Sequence, residues 1–351
     1  MRVLLSGYYG FGNLGDEAIL AAVTQELASA VPDIEIEVLS SDPAHTRRVH
    51  GLVAADRWRM RSIWSALRRC DFLVQGGGGL IQDATSAASP AYYLGVLAMA
   101  RFARRPYAIF LQGLGPLTRR HWQKWTARLC GKARLVVLRD AHSTDLLSQW
   151  GFRGNVVVAA DPVVLLKPAP REEVASWLAE HNAALPDGPY RVLVPREVGE
   201  HEPALTAAAR AMTSGGKQAI VVPFQQPDED LARRLASASG ATFLPTPEDP
   251  RVALALIAAS SGVLAVRLHA VVFAASSGIP ALAVAYDPKV SAFCDAVGYA
   301  SSTDLTAGLL DRWIADADSG AARPDAAAVA AMQSKARDAF DLLVAAMTAR
   351  R

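Results

Sequence analysis

The sequence predicts an α/β protein built from two doubly wound, Rossmann-like domains. Its 351 residues exceed the ~100–200 that are typical of one domain. Hydrophobic residues make up 51% of the chain and charged residues 20%, which is enough for large cores and excludes a disordered protein. Short aliphatic runs alternate with longer helical patterns in two successive series. Continuous apolar strands separated by helices are typical of parallel sheets that are covered on both faces.

Each series contains several short β-branched or aliphatic runs that we interpret as strands. The first series is Val3–Ser6, Glu35–Leu39, Phe72–Gln75, Ala108–Gln112, Leu135–Leu138 and Val156–Ala159. The second series is Arg191–Val194, Ala219–Val222, Val263–Val266 and Ala281–Ala285. Two such series in one chain favour two doubly wound domains over a single large sheet.

A proline-punctuated stretch from Ala160 to Pro170 separates the two series. We therefore expect an N-terminal Rossmann-like domain over residues 1–160 and a C-terminal one over residues 171–322. The alanine-rich remainder, residues 323–351, predicts a C-terminal helix that could pack on either domain.

Charge and cysteine content limit the partners and the cellular compartment. The net charge is only +2, from 36 Lys and Arg against 34 Asp and Glu, so the chain is no polycation for nucleic acid. Cys70, Cys130 and Cys294 lie far apart, which excludes a disulfide scaffold and a cysteine-rich zinc site. The first residues form no signal peptide, and the longest uncharged stretch, Leu268–Tyr286, is interrupted by Ser, Gly and Pro. We expect a cytoplasmic protein.

Cations are concentrated in one part of the first half. Residues 84–139 contain ten Arg or Lys and no acid. Within them Arg119–Arg128 interleaves cations with Trp122 and Trp125, and Arg57–Arg61 is similar. One interpretation is a solvated basic helix face. The other is a surface that docks anionic phospholipid headgroups or a pyrophosphate-linked lipid at the inner face of the membrane.

Glycines and polar residues follow the predicted strands of the first series. They are found in Gly7–Glu17, Gly76–Gly79, Gly113–Pro116 and Arg139–Asp140. Open parallel sheets bind ligands beyond the carboxyl ends of their strands, and glycine lets the backbone approach a ligand closely. This pattern predicts a binding cleft without naming its ligand.

Gly10, Gly12 and Gly15 match the dinucleotide-binding spacing, but their context does not fit it. The fingerprint follows its strand directly and leaves a bare helix N-terminus for pyrophosphate, whereas here Asp16 and Glu17 follow the last glycine. Asp16 has two interpretations. It is the N-cap of a helix, which its position slightly favours, or it faces the cleft and accepts a proton from an alcohol.

The second half places cations after two neighbouring strands. Arg267 and His269 follow one predicted strand, and Lys289 follows the next. A small anion with both carboxylate and phosphate groups would suit them, although a lone histidine is often purely structural. The seven histidines are scattered without metal-ligand spacing, so we predict no metal site and no cofactor.

Seven motifs together resemble the polysaccharide pyruvyl transferase family, and its CsaB-type members most closely. In chain order they begin at Ser6 (SGYYGFGNLGDEA), Gln75 (QGGGGL), Gln112 (QGLGP), Leu138 (LRD), Asp161 (DP), Arg267 (RLH) and Tyr286 (YDPK). Each is weak alone, but jointly they are specific and cover most of the chain.

The resemblance implies a GT-B-like pair of Rossmann-type domains. It implies transfer of pyruvate from phosphoenolpyruvate to a terminal N-acetylmannosamine of a lipid-linked secondary cell wall polysaccharide precursor. The product is a 4,6-ketal that anchors S-layer proteins, and phosphate is released.

The resemblance also implies the site residues. Arg139, Lys289, Arg267 and His269 correspond to the phosphoenolpyruvate site. Asn13 and Asp16, with Gly77 and Gly78, lie toward the acceptor sugar. We expect His269 and Asp16 to be catalytic, and we expect cations from both halves to meet at one gap.

Two alternatives remain open. A GT-B glycosyltransferase with a nucleotide-sugar donor would share the fold, because fold does not fix function. A non-enzymatic membrane scaffold would use the basic, tryptophan-containing surface, but it leaves the glycine-rich turns unexplained.

Overall fold

The computed structural model describes residues 1–84, 88–197 and 201–349. The chain divides into two compact units. The first unit comprises residues 1–165 and 332–351, and the second comprises residues 166–331.

The first unit is built on a seven-stranded parallel sheet of order β3-β2-β1-β4-β5-β6-β7. Its strands are β1 (Arg2–Tyr9), β2 (Glu35–Ser40), β3 (Val53–Asp56), β4 (Phe72–Gly76), β5 (Tyr107–Gln112), β6 (Leu135–Leu138) and β7 (Val157–Val158). Its helices are α1 (Leu14–Ala30), α2 (Pro43–His50), α3 (Met60–Arg69), α4 (Ala88–Phe102), α5 (Arg120–Cys130) and α6 (Ala141–Gln149). The order reverses between β1 and β4, as in a Rossmann fold.

The second unit repeats this plan with a six-stranded parallel sheet of order β10-β9-β8-β11-β12-β13. Its strands are β8 (Tyr190–Val194), β9 (Gln218–Val221), β10 (Thr242–Phe243), β11 (Gly262–Ala265), β12 (Ala281–Val284) and β13 (Ala300–Ser302). Its helices are α7 (Arg171–Glu180), α8 (Glu202–Thr213), α9 (Glu229–Ser239), α10 (Pro250–Ala258), α11 (Leu268–Ser276), α12 (Pro288–Val297) and α13 (Ala307–Ser319). The last helix, α14 (Ala326–Thr348), begins in this unit and continues in the first.

Three short strands, β3, β10 and β13, were not predicted from the sequence. Each lies at the edge of its sheet. An edge strand has one paired neighbour and is less buried, so it needs no continuous apolar run. The strand predicted at Val156–Ala159 is shorter in the structure, at Val157–Val158.

The central strands form the cores. β4 and β5 are buried along their whole length. In the first unit the Phe340 ring of α14 packs edge-on against Phe110 of β5, with ring centroids 5.0 Å apart. The alanine-rich tail, whose packing partner the sequence left open, therefore contributes to the first core.

The three cysteines lie in the interior of the protein. Cys70, Cys130 and Cys294 are buried and free. Burial raises the pKa of the Cys130 thiol to about 12, which keeps it neutral and unreactive. Among the described residues, no helix is long and apolar enough to cross a membrane.

Glycines at the end of β4 permit an approach that no other residue allows. A Cβ at Gly76 would lie 1.8 Å from the Phe110 carbonyl oxygen, which belongs to backbone and cannot move aside. A Cβ at Gly77, whose φ is +79°, would lie 2.3 Å from the Ile19 side chain of α1. The turn after β4 is therefore packed closely against both β5 and α1.

We expect Gly76→Ala to lower the free energy of unfolding by about 3 kcal/mol or more, because the added methyl group overlaps backbone. Urea denaturation measures this change. Gly95→Ala is the matched control, since Gly95 lies within helix α4 with open space around it. The control should be neutral or stabilising by up to about 1 kcal/mol. Equal destabilisation of both variants would contradict the packing described.

Candidate functional site

Sheet topology places the predicted residues at the carboxyl ends of the strands. In doubly wound sheets, ligands bind beyond these ends where the strand order reverses. In the first unit that point lies between β1 and β4, and in the second it lies between β8 and β11. The predicted site residues follow β1 (Asn13, Asp16), β4 (Gly77, Gly78), β6 (Arg139), β11 (Arg267, His269) and β12 (Lys289).

The start of helix α1 corrects one prediction. The helix begins at Leu14 and its N-cap is Asn13, whose side chain accepts a hydrogen bond from the Gly15 amide at 3.2 Å. Asp16 is therefore not the N-cap. It lies in the first helical turn, where its carboxylate accepts a hydrogen bond from the Asn13 side-chain amide. An asparagine caps a helix as well as an aspartate does, and it comes first in the chain.

The glycine turn after β4 lies directly against Asp16. A Cβ at Gly78 would be 2.8 Å from Asp16 Oδ1, and φ at Gly78 is +65°. Gly77 contacts the same helix through Ile19. The structure thus brings together Asn13, Asp16, Gly77 and Gly78, the four residues that the resemblance assigned to the acceptor.

Arg139 lies on the same edge of the first sheet. The Gly113 amide donates a hydrogen bond to the Gly78 carbonyl at 2.8 Å, and a Cβ at Gly113 would lie 3.0 Å from Arg139 Nε. The Arg139 side chain is only 10% exposed, and its Nη1 lies 3.5 Å from Asp161 Oδ2. One glycine turn therefore separates this guanidinium from the turn that contacts Asp16.

Arg267 in the second unit is engaged by a buried carboxylate. Its Nε and Nη2 both donate hydrogen bonds to Asp228 Oδ2. Asp228 is 2% exposed and belongs to a 3₁₀ turn, Gln226–Asp228, directly before helix α9. The pair offsets the charge of Arg267 within the protein. The contact of Arg267 with a donor stays a prediction.

His269 and Lys289 occupy the first turns of two helices that follow neighbouring strands. His269 is the second residue of α11 and is half-buried. Lys289 is exposed in the first turn of α12, and its amide donates to the capping carboxylate of Asp287 at 2.9 Å. The N-cap of α11, Arg267, makes no side-chain hydrogen bond to the helix start. These helix starts provide amide dipoles that favour an anion.

Arg196 is a cation that sequence reasoning missed. It follows β8, beside the point where the order of the second sheet reverses, and its guanidinium lies 4.4 Å from the centroid of the Tyr286 ring. It forms no ion pair with a carboxylate in the part of the chain that the structure describes. Its position after a buried strand, the same signal that identified Arg139, could have found it.

Buried polar groups under the first sheet's edge were also missed. Gln75 and Gln112 are fully buried, and their amide atoms have no hydrogen-bond partner among the described residues. Glu17, 1% exposed, accepts from the Gly10 amide at 2.8 Å and contacts His50 Nε2 at 2.9 Å. A glutamine that ends an apolar strand directly before glycine is the signal that could have found the first pair.

Most of the predicted basic surface is exposed, apart from Arg57 and part of Trp122. The exposed side chains of α5 include Arg120, Lys124, Trp125 and Arg128. Trp122 is half-buried and packs against the hydrophobic core, and Arg57 of the similar earlier segment is 4% exposed. Of the two tryptophans on α5, only Trp125 presents most of its ring to solvent, at 54% exposure.

Neither metal ligands nor a cavity of the second unit add to the site in the described part of the chain. No group of three or more His, Cys, Asp or Glu side chains there could hold a metal ion. A cavity of about 600 Å³ lies near His181 and Phe243 in the second unit, and none of the predicted site residues line it.

Comparison with known proteins identifies the family. The family model for polysaccharide pyruvyl transferase matches residues 13–288, which is most of the chain. The amylovoran biosynthesis protein AmsJ of Erwinia amylovora is 20% identical in an alignment that covers 82% of this chain and 84% of AmsJ.

Solved structures agree on the fold. UDP-GlcNAc 2-epimerase from Methanocaldococcus jannaschii has a TM-score of 0.67 at 12% identity, over 98% of this chain and 99% of that one. The enzyme from Neisseria meningitidis bound to UDP-GlcNAc has a TM-score of 0.64 at 13% identity, over 98% of this chain and 100% of that one. At such low identity these likenesses concern the fold alone. They confirm the predicted class, a GT-B-like fold of two Rossmann-like domains.

We expect Asn13→Ala to lower the free energy of unfolding by about 1 kcal/mol, because the Gly15 amide loses its acceptor. Asn13→Ser is the control, since serine caps a helix about equally well and should stay within about 0.5 kcal/mol of the parent protein. Urea denaturation compares the two. A similar loss in both variants would show that the cap does not account for the effect.

Proposed function

We propose, from the premise that this chain belongs to the polysaccharide pyruvyl transferase family, that its donor is phosphoenolpyruvate and its acceptor a terminal N-acetylmannosamine. The family makes it a transferase of polysaccharide pyruvylation. We further propose that the product is a 4,6-ketal and that the acceptor is a lipid-linked secondary cell wall polysaccharide precursor. The enzyme would then have a CsaB-type role in S-layer anchoring. The observation that carries it is the edge of the first sheet, where Gly78 contacts Asp16 and one glycine turn separates Gly78 from the Arg139 guanidinium.

The proposed reaction sets the chemical requirements. One acceptor hydroxyl adds to C2 of phosphoenolpyruvate and gives its proton to a base, while an acid delivers one proton to C3. The second hydroxyl then displaces phosphate from C2, and its proton leaves to a base or to the phosphate. The two hydroxyl protons are thereby accounted for. The site must hold a multiply charged anion and must exchange protons with both substrates.

Asp16 is the proposed base toward the acceptor. Its carboxylate is held by the Asn13 side-chain amide, which fixes its orientation. Gly78 approaches one carboxylate oxygen with no side chain of its own. A carboxylate held in this way can accept a hydroxyl proton without first rearranging.

Cations and helix starts support the donor assignment. Lys289 and His269 lie in the first turns of α12 and α11, where backbone amides favour phosphate. We assign Arg139 and Lys289 to the carboxylate and phosphate groups, and His269 to proton transfer or phosphate binding. Arg196 is added to this set as a cation at the reversal point of the second sheet.

The acceptor's lipid carrier gives the basic surface a proposed role. Arg120, Lys124 and Arg128 recur every fourth residue, which places them on one face of α5, and Trp125 is exposed beside them. Such a face suits peripheral contact with an anionic membrane, in a cytoplasmic enzyme at the inner leaflet.

We expect His269→Ala to reduce kcat by ~10²–10⁴-fold, which is the usual contribution of a general acid or base. We expect Arg139→Lys to impair turnover as well, because lysine offers a point charge where arginine offers a planar fork. The assay measures phosphate release from phosphoenolpyruvate with a synthetic N-acetylmannosamine-terminated lipid-linked disaccharide, with the mass of the product as a second readout.

The controls are a histidine and an arginine elsewhere in the same units. His181→Ala and Arg134→Lys should keep near-parental turnover. Near-normal turnover of folded His269→Ala would remove His269 from the mechanism. Thermal shift with phosphoenolpyruvate against UDP and GDP tests the nucleotide-sugar alternative, and stabilisation by a nucleotide alone would favour that alternative.

For the membrane contact, we expect Lys124→Glu/Arg128→Glu to abolish sedimentation with vesicles containing phosphatidylglycerol, because it reverses two charges. Turnover on a water-soluble acceptor should be unchanged. Phosphatidylcholine vesicles and Arg153→Glu, an exposed cation elsewhere in the first unit, are the controls. Unchanged sedimentation of the double variant would reject this surface.

A further inference from the structure

We propose that the rings of Tyr8, Phe11 and Trp58 form a binding platform for the acceptor chain, which holds the sugars that precede the residue to be pyruvylated. The inference rests on the proposed function, because it extends the acceptor end of that site. We call these three residues the aromatic platform.

The platform is a continuous set of rings at the carboxyl edge of the first sheet. Tyr8 and Phe11 are stacked, with centroids 4.0 Å apart and planes inclined by 7°. Trp58 meets Phe11 edge-on at 6.0 Å. Tyr8 is the second-last residue of β1 and Trp58 is the second residue after β3, so both belong to the edge where ligands bind.

Two of these rings are exposed although the fold has ample core, and Phe11 is half-buried. Trp58 is 65% exposed and Tyr8 is 39% exposed. Clustered exposed aromatic rings mark interaction sites more often than scattered ones, because the apolar surface they leave in water is costly. The cluster therefore calls for an occupant.

A buried arginine fixes the platform from beneath. Arg57 is 4% exposed, and its Nη1 donates to the Gly7 carbonyl at 2.8 Å while its Nη2 donates to the Tyr93 hydroxyl at 3.3 Å. Its guanidinium lies 4.8 Å from the Phe11 centroid and 5.5 Å from that of Trp58. Rings held in this way lose little conformational freedom when a ligand binds.

The platform is continuous with the proposed acceptor residues. Phe11 lies in the loop that ends at the α1 cap, Asn13, and this loop is tied down by the hydrogen bond from Gly10 to Glu17. Burial and the nearby Asp16 carboxylate raise the pKa of the Tyr8 hydroxyl. A glycan whose terminal sugar reaches Asp16 would therefore place its preceding rings over Tyr8 and Trp58.

The surroundings favour a sugar over a lipid tail. The Trp58 amide donates to Asp56 at 2.8 Å, and the same carboxylate pairs with Arg59 at 3.1 Å. Aromatic faces bordered by carboxylate, guanidinium and phenol groups match a pyranose ring, which has an apolar C–H face and a rim of hydroxyls. A lipid tail would take those charged groups out of water and offer them no hydrogen bonds in return.

The test compares short and long soluble acceptors with and without the platform. The acceptors are the methyl glycoside of N-acetylmannosamine and tetrasaccharides that end in N-acetylmannosamine, galactose or glucose. For whichever tetrasaccharide the parent protein accepts, we expect Trp58→Ala to raise KM by roughly tenfold and to leave kcat unchanged. This change corresponds to the loss of one ring contact. KM for the methyl glycoside should not change. Trp58→Phe should retain most of the affinity because it keeps a ring.

Phe102→Ala is the matched control, an 80% exposed aromatic residue at the end of α4 and thus at the opposite edge of the sheet. It should behave as the parent protein. Equal KM values for the tetrasaccharide in Trp58→Ala and the parent protein would overturn the platform. The platform would also be overturned if Trp58→Ala lost only the binding of phosphatidylcholine vesicles, because that result would identify a lipid-contacting surface instead.

Calorimetric titration of the tetrasaccharides without donor separates the two proposals. If the parent protein binds a tetrasaccharide and Trp58→Ala binds it about tenfold more weakly, the platform stands even where phosphoenolpyruvate yields no phosphate. In that event only the proposed donor fails. If the parent protein releases phosphate from phosphoenolpyruvate but Trp58→Ala binds every tetrasaccharide as tightly as the parent protein does, only the platform fails.

Discussion

The close packing of β4 against β5 and α1 is the constraint on which the first unit's site depends. Gly76 lies against the Phe110 carbonyl, and Gly77 lies against Ile19. This contact sets how near α1 comes to the sheet, and hence where Asp16 lies relative to Gly78. The Gly113 amide then joins the same turn to the strand end that precedes Arg139. The helix start and the turn are thus positioned by steric fit, and the Arg139 guanidinium beyond them is also paired with Asp161.

Within each unit, the charged groups near the strand ends are mostly paired inside the protein. Glu17 is paired with His50 and a backbone amide, and Arg267 is paired with Asp228. Arg57 is different, since its hydrogen bonds go to a carbonyl and a phenol and its charge is shared among aromatic rings. Charge that remains accessible to a ligand is supplied by exposed Lys289 and by Arg196 over Tyr286. Fixed ion pairs give rigidity, and the accessible cations give binding capacity.

The sequence predicted the central strands well because buried parallel strands must be continuously apolar. It missed β3, β10 and β13 because a sheet edge imposes no such pattern. It placed the candidate residues after the right strands, since polar residues stand out behind apolar runs. It slightly favoured Asp16 as the helix cap, which was wrong, because the cap depends on where the first turn closes and the structure has Asn13 there. It also missed the aromatic platform, because Tyr8 and Phe11 are close to Trp58 only after three strands have paired.

The glycine turn has a consequence for how such an enzyme can diversify. A position where a methyl group would meet a carbonyl at 1.8 Å leaves almost no room for sequence drift. The rings of the aromatic platform are half-buried or exposed. If they bind the acceptor as proposed, new acceptor preferences would arise most readily by changing the rings, while the glycine turn stays the same.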